Sequence, residues 1–318
     1  MQQPARDPTS DETRGLWLGL LGVTIFSMTL PMTRLAVGPA SDPQLPPLFV
    51  TAGRAAFAGL LSVLYLGFTK APRVQRRHLP ALFTSALGTV VGFPLFLSLA
   101  LRQVDAMHAA VVTGLMPLAT AIGAAVFFRQ RPSNGFWTCA ALGCAMVLAF
   151  AAYRGNGHLS PGDGFLLLAV FFTAVGYVAG ARVAAELPAE QVICWVLVLS
   201  LPLTLPVMVA SWPAAPVRAS AWGGFTYVTL FSMWLGFFAW YRGLALGGTV
   251  RVSQVQLVQP FLALLFAVPV LGETLDAVTV LFSLAVIAVV FVGKQMSANS
   301  ASARTPETQP ETQPESAR

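Results

Sequence analysis

Long apolar runs alternate with short polar breaks along the whole chain. Cutting at charged or Pro/Gly-rich positions leaves ten apolar segments, near residues 15–36, 47–69, 79–101, 106–128, 134–153, 163–184, 190–210, 221–241, 249–271 and 276–293. Each approaches the ~20 residues that a helix needs to cross the hydrocarbon core of a bilayer. The pattern predicts an all-α integral membrane protein of ten transmembrane helices. The first run starts after Arg14 and carries Pro31 and Arg34 where a signal peptide would place a small-residue cleavage site, which predicts a retained span. Residues 1–14 precede the runs as a short polar segment. Residues 297–318 follow them, repeat the phrase PETQ and have no apolar residue other than Ala and Pro, so this tail is expected to be disordered.

Charge is scarce and concentrated at the ends. Of 318 residues, 32 are charged, and ten of these fall in residues 1–14 and 297–318, leaving 22 over the intervening 282 positions. A soluble body usually carries roughly 25% charged residues, so a soluble enzyme or binding domain is excluded. The net charge of +6 is carried by basic residues set singly at span ends, which reads as topology information and not as a nucleic-acid surface.

Ten spans put both termini on one side of the membrane. With the N-terminus inside, fourteen basic residues fall on the cytoplasmic side (Arg6, Arg14, Lys70, Arg73, Arg76, Arg77, Arg129, Arg131, Arg182, Arg242, Arg251, Lys294, Arg304, Arg318) and four outside (Arg34, Arg102, Arg154, Arg218). The loop KAPRVQRRH is the strongest single anchor, because four positive charges beside a membrane helix resist translocation. The expected location is the plasma (inner) membrane, multi-pass, with both termini cytoplasmic.

The spans also suggest a repeat. The segment QVDAMHAAVVTGLMPLATAIGAAVFF matches the layout of LGGTVRVSQVQLVQPFLALLFAVPVL when Pro117 is set opposite Pro260: a polar lead-in, an apolar run, a mid-span proline and a charged exit. This divides the chain into five-helix repeats at 15–153 and 163–293. An odd number of spans per half makes the copies inverted in the membrane, a common plan among secondary transporters.

These features, with the stretch YRGLALGGTVRVSQVQLVQPFLALLFAVPVLGETL at 241–275, resemble the drug/metabolite transporter superfamily, EamA type. The likeness covers about residues 15–293. The first half departs from it, having Arg129-Gln130-Arg131 where a Gly-Glu exit is expected. The resemblance implies ten helices around a cavity that opens alternately to each side, and export of small organic metabolites such as amino acids or drugs.

Polar residues at mid-span are the informative ones in such a bundle. Thr24, Ser27, Pro31 and Arg34 fall within about 80° of one another at the helical 100° per residue, and form either a cavity wall or interhelical packing contacts. The ninth span offers Ser253, Gln256 and Pro260 on one face, with Gln259 at its edge and Gln254 elsewhere; amides left unpaired at this depth are costly, so Gln256 or Gln259 is expected to line the cavity. Arg54 is the charge most clearly embedded in a span, either a docking group for a carboxylate or phosphate or a side chain that snorkels. Tyr227, Phe231, Trp234, Phe238 and Tyr241 form a stripe that either stacks a planar substrate or meets lipid, and Tyr177 is a further cavity candidate. Pairs of glycines four apart, Gly15/Gly19, Gly88/Gly92, Gly176/Gly180 and Gly243/Gly247, permit close helix approach.

No ATP-hydrolysing motif is present, since neither Lys70 nor Lys294 belongs to a GxxxxGK[ST] loop. No cofactor or metal is implied: His78, His108 and His158 lie in separate loops, and Cys139, Cys144 and Cys194 sit in apolar runs as buried, inert thiols. Asp105, His108, Asp163, Glu273 and Asp276 fall near span ends; Glu273 is the best coupling candidate among them, set against a structural role at a helix end. The reading is therefore a secondary transporter working by alternating access, with a small molecule and the bilayer as its partners. An intramembrane enzyme would need acids or histidines at membrane depth, and a nontransporting scaffold has no use for mirrored halves.

Overall fold

The computed structural model describes residues 8–127, 133–184, 186–247, 252 and 255–302, and the regular elements among them are all helical. The first segment is α1 (Pro8–Ser27) and α2 (Thr29–Val37), separated by a break at Met28. Next come α3 (Pro47–Phe68), then α4 (Leu79–Ser85), a π-helical stretch Ala86–Gly92 and α5 (Phe93–Ala100) in one continuous run. The fourth segment divides into α6 (Ala106–Thr113) and α7 (Met116–Phe127) ahead of Pro117, and α8 (Asn134–Arg154) follows.

The remaining elements are α9 (Pro161–Ala184), α10 (Ala189–Ala210), and a run of α11 (Ala219–Tyr227), a second π-helical stretch Val228–Leu235 and α12 (Gly236–Gly247). A 3-10 turn at Gln256–Val258 leads into α13 (Gln259–Leu271) at Pro260, and α14 (Ala277–Ser302) ends the described chain. Among the described residues, seven helical tracts are long and apolar enough to cross a membrane, and two shorter apolar helices span Gln256–Leu271 and Ala277–Gly293.

Local chemistry explains why these runs are helices. Pro47 begins α3, where its missing N–H would have had no partner, and Gly38 and Gly272 close α2 and α13 with φ of 67° and 70°, a conformation that glycine adopts at no steric cost. Hydroxyls inside the runs bond back to their own helix: Ser62 Oγ donates to the Ala58 carbonyl at 2.8 Å and Thr173 Oγ1 to that of Ala169 at 2.8 Å. That leaves the outer faces to apolar side chains such as Trp17, Phe68 and Val126, all largely exposed, as a surface facing lipid requires.

The helices pair across the two halves of the chain. α1 packs on α12, α3 on α10, the α4–α5 run on α9, α6 on α13 and α8 on α14. Two of these crossings are glycine contacts. A Cβ at Gly88 would lie 2.5 Å from Gly176 Cα, and one at Gly243 would lie 2.7 Å from Gly19 N, so all but the smallest residue is excluded there. Helix α9 is tied at both ends: buried Asp163 meets His108 Nε2 at 2.6 Å, and beyond its other end Glu186 meets His78 Nε2 at 3.1 Å and Arg77 at 2.7 Å.

Two sequence expectations change here. Cys194 is buried, but Cys144 is exposed on the outer face of α8, because that helix has a wide surface turned away from the bundle. The aromatic stripe of 227–241 does not hold, because i→i+5 bonding over Val228–Leu235 rotates the faces on either side out of the 100° register.

Candidate functional site

A narrow cavity of about 50 Å³ lies among mid-helix side chains from both halves of the chain. Its polar lining is Thr29, Arg54, Thr89, Thr113, Thr173, Tyr177, Ser232 and Gln259, and Phe26, Phe93, Met116, Met233 and Phe237 complete it with apolar surface. The helix interruptions put these groups there. Thr89 belongs to the first π-helical stretch and Ser232 to the second, Thr113 ends α6, and Gln259 opens α13 beside Pro260. Extra residues in a turn re-aim side chains that a regular helix would point elsewhere.

Arg54 dominates the electrostatics. It is 3% exposed, so the guanidinium is held inside the protein and does not snorkel to a surface. Nη2 donates to Ser232 Oγ at 3.2 Å, and Ser232 Oγ is also 2.8 Å from Thr29 Oγ1. Nε and Nη1 have no partner. A buried ion without a counter-charge is penalised by several kcal/mol.

An adjoining hollow of about 20 Å³ is lined by Leu30, Thr113, Pro117, Gln256, Gln259 and Pro260. Gln259 thus lines both the Arg54 cavity and the adjoining hollow, whereas Gln256 lines the adjoining one. Of the residues singled out from the sequence, Arg54, Tyr177 and Gln259 come together, and Gln256 is next to them. Ser253 and Gln254 lie outside the described residues.

Thr24, Ser27, Trp234 and Glu273 are placed elsewhere. Thr24 Oγ1 donates to the Leu20 carbonyl at 2.8 Å and Ser27 Oγ to that of Val23 at 2.7 Å, so both hydroxyls are spent on their own helix, and the break at Met28 turns Thr29 to the cavity instead. Trp234 packs against Phe238 at 4.9 Å and Tyr65 at 6.3 Å between ring centroids. Arg34 caps the end of α5, donating to the carbonyls of Leu101 and, at 3.2 Å, Val104.

Glu273 stands at the end of the bundle that carries the 38–46, 101–105 and 272–276 loops. Its two carboxylate oxygens accept the backbone N–H groups of Ala106 and Met107, each at 2.8 Å, and so cap the first turn of α6. Burial pushes its carboxyl above the ordinary value, an effect the two N–H bonds only partly offset. The hollow at this end is larger, about 610 Å³, but its charged groups are already engaged: His108 with Asp163, Arg154 with Asp276, and Glu273 with α6. A further hollow, about 670 Å³, is a groove between α4, α7 and α9, lined by apolar residues with Thr84 and Arg182 as its polar members. Among the described residues, Arg54 is the side chain with two buried polar atoms lacking a partner.

The family model described as the EamA-like transporter family matches residues 13–151 and again 160–293. The chain belongs to the EamA-like transporter family. An uncharacterized transporter of Bacillus subtilis (strain 168), YdeK, is 41% identical over 292 residues, covering 90% of this chain and 99% of its own. A solved structure described only as the crystal structure of a protein aligns with a TM-score of 0.60 over 91% of this chain and 99% of its own, at 19% identity, which shows a shared fold. This EamA-like transporter is accordingly a membrane protein that moves a solute.

Sequence reasoning passed over Thr29, Thr89, Thr113, Thr173 and Ser232. One signal for two of them was present: the register that sets Pro117 opposite Pro260 also sets Thr89 opposite Ser232, both midway along apolar runs.

Proposed function

We propose that the protein is a ten-span secondary transporter that exports a small organic metabolite by alternating access, with its substrate held in the Arg54–Tyr177–Gln259 cavity. The observation that carries this reading is the cavity's composition from both halves of the chain: Thr29, Arg54, Thr89 and Thr113 from the first, Thr173, Tyr177, Ser232 and Gln259 from the second. A site between two halves is exposed to either side as one half rocks on the other. The pairing of helices supports the inverted repeat, since replacing each segment by its counterpart five segments on leaves the set of partners unchanged. The double family match supports it as well.

Small-molecule sites usually enclose roughly 300–1,000 Å³, far above the 50 Å³ here. The described conformation is therefore closed around the site, and substrate entry requires the helices to part. Glycine contacts between α9 and the α4–α5 run, and between α1 and α12, provide smooth surfaces for that movement. Both termini are assigned to the cytoplasm of a cell whose plasma membrane holds the protein, on the asymmetry of basic residues.

The test is reconstitution into liposomes loaded with a metabolite extract of the cells. A discrete subset of solutes should leave faster than from protein-free liposomes; retention of all of them at the protein-free rate would overturn the reading. Reporter fusions within residues 70–78 should report a cytoplasmic location, and an external signal would reverse the assigned orientation.

A further inference from the structure

We infer that the substrate is a small organic monoanion, bound through its carboxylate to Arg54, and that cations are excluded; this rests on the transporter reading above. Arg54 is buried in the cavity, and only Nη2 has a partner, the neutral Ser232 hydroxyl. The chain has thirteen Asp and Glu, and those between residues 15 and 296 are Asp42, Asp105, Asp163, Glu186, Glu190, Glu273 and Asp276, each at or near a helix end. No acid lines the cavity. The described residues thus supply no counter-ion, and the charge that satisfies Arg54 comes with the solute.

The same lining sets the number of charges. Among the described cavity residues Arg54 is the one Lys, Arg or His, so a single negative charge is matched and a phosphate dianion would carry one charge too many. A cationic amine would meet the guanidinium with no carboxylate to hold it. Thr29 and Ser232 are hydrogen-bonded to each other 2.8 Å apart beside the guanidinium, which uses one of their two O–H groups and leaves the other to donate to the second carboxylate oxygen. The rest of the solute faces Phe26, Phe93, Met116, Met233 and Phe237, which suits an apolar or aromatic body.

The extract-loaded liposomes decide this when each depleted solute is sorted by net charge at pH 7 and the wild-type chain is compared with Arg54→Gln, Arg54→Lys and Ser232→Ala. The depleted solutes should be monocarboxylates, with efflux at least 10-fold slower in Arg54→Gln and partly retained in Arg54→Lys. Ser232→Ala should raise KM for the same solutes several-fold with little change in kcat, and this variant keeps the test sound if Arg54→Gln proves poorly folded by size-exclusion chromatography. Depletion of cationic or neutral solutes, or monocarboxylate efflux unchanged in Arg54→Gln, would overturn the anion assignment while leaving transport intact. Depletion of nothing by the wild-type chain would remove both.

Discussion

In the register that sets Pro117 opposite Pro260, Thr89 falls opposite Ser232, and each occupies a π-helical stretch facing the cavity. Their bonding differs. Thr89 Oγ1 returns to the Ser85 carbonyl of its own helix at 2.8 Å, whereas Ser232 Oγ is engaged by Arg54 and Thr29 from the other half. The counterpart of Arg54 in the same register is Leu197, fully buried and apolar. The two stretches matched by the same family model thus contribute unequally to the candidate site: each brings a π-helical interruption to the cavity, and only the first brings a charge.

The largest effect should follow from removing that charge. Arg54→Gln is expected to lower kcat/KM for the transported solute about a hundredfold, the scale of truncating one partner of a buried charge pair, as measured by liposome efflux. Next in size is the shared packing. Gly176→Val puts a side chain against Gly88 and Thr89 of the facing run, where a Cβ alone already meets Thr89 N at 2.8 Å, and should cost about 1–3 kcal/mol. Thermal unfolding in detergent checks this, and an unchanged midpoint would mean that the two helices are not in close contact.

Ser232→Ala against Thr89→Val separates the halves more finely. The first removes the one hydrogen-bond partner of Arg54 and should raise KM several-fold, while the second replaces a hydroxyl already bonded within its helix and should stay within about twofold. Equal effects would show that the two hydroxyls are equivalent and the site symmetric.

The smallest effect concerns the Gly-Glu exit of the second half, which has Gln130 as its counterpart in the first. Burial raises the Glu273 carboxyl above its unfolded value, so this group favours the folded chain fully below the unfolded pKa and loses that contribution as pH rises through the folded one. Glu273→Gln should shift stability by no more than about 1 kcal/mol and flatten that part of the pH profile of unfolding between acidic and neutral pH.

The helical, lipid-facing character was legible in the sequence because it depends on run length and scarcity of charge, both of which survive any local irregularity. Arg54, Tyr177 and Gln259 were legible for a related reason: an ionised group, a phenol and an amide have few tolerable places within an apolar run. Thr24, Ser27 and Trp234 do not line the Arg54 cavity, a placement that faces counted at a constant turn per residue do not foresee. That count fails across the break at Met28, beyond which Thr29 turns to the cavity, and across Val228–Leu235; back-bonding does not decide the matter, since Thr89, Thr113 and Thr173 line the cavity with hydroxyls bonded to their own helices. Glu273 gave a helix-end signal, but its partner α6 lies 166 residues away in sequence at Met107, beyond the reach of any local pattern.

On the proposed mechanism, one site between the halves is reached alternately from both sides. Thr113 lines both central hollows, so a chain carrying Thr113→Cys with Cys139, Cys144 and Cys194 replaced by Ser reports directly on that access. Membrane-impermeant thiol reagents applied in turn to each face should modify this cysteine from either one, and a transported monocarboxylate should slow the reaction several-fold. Modification from neither face, or from one face at a rate that no transported solute alters, would contradict the account.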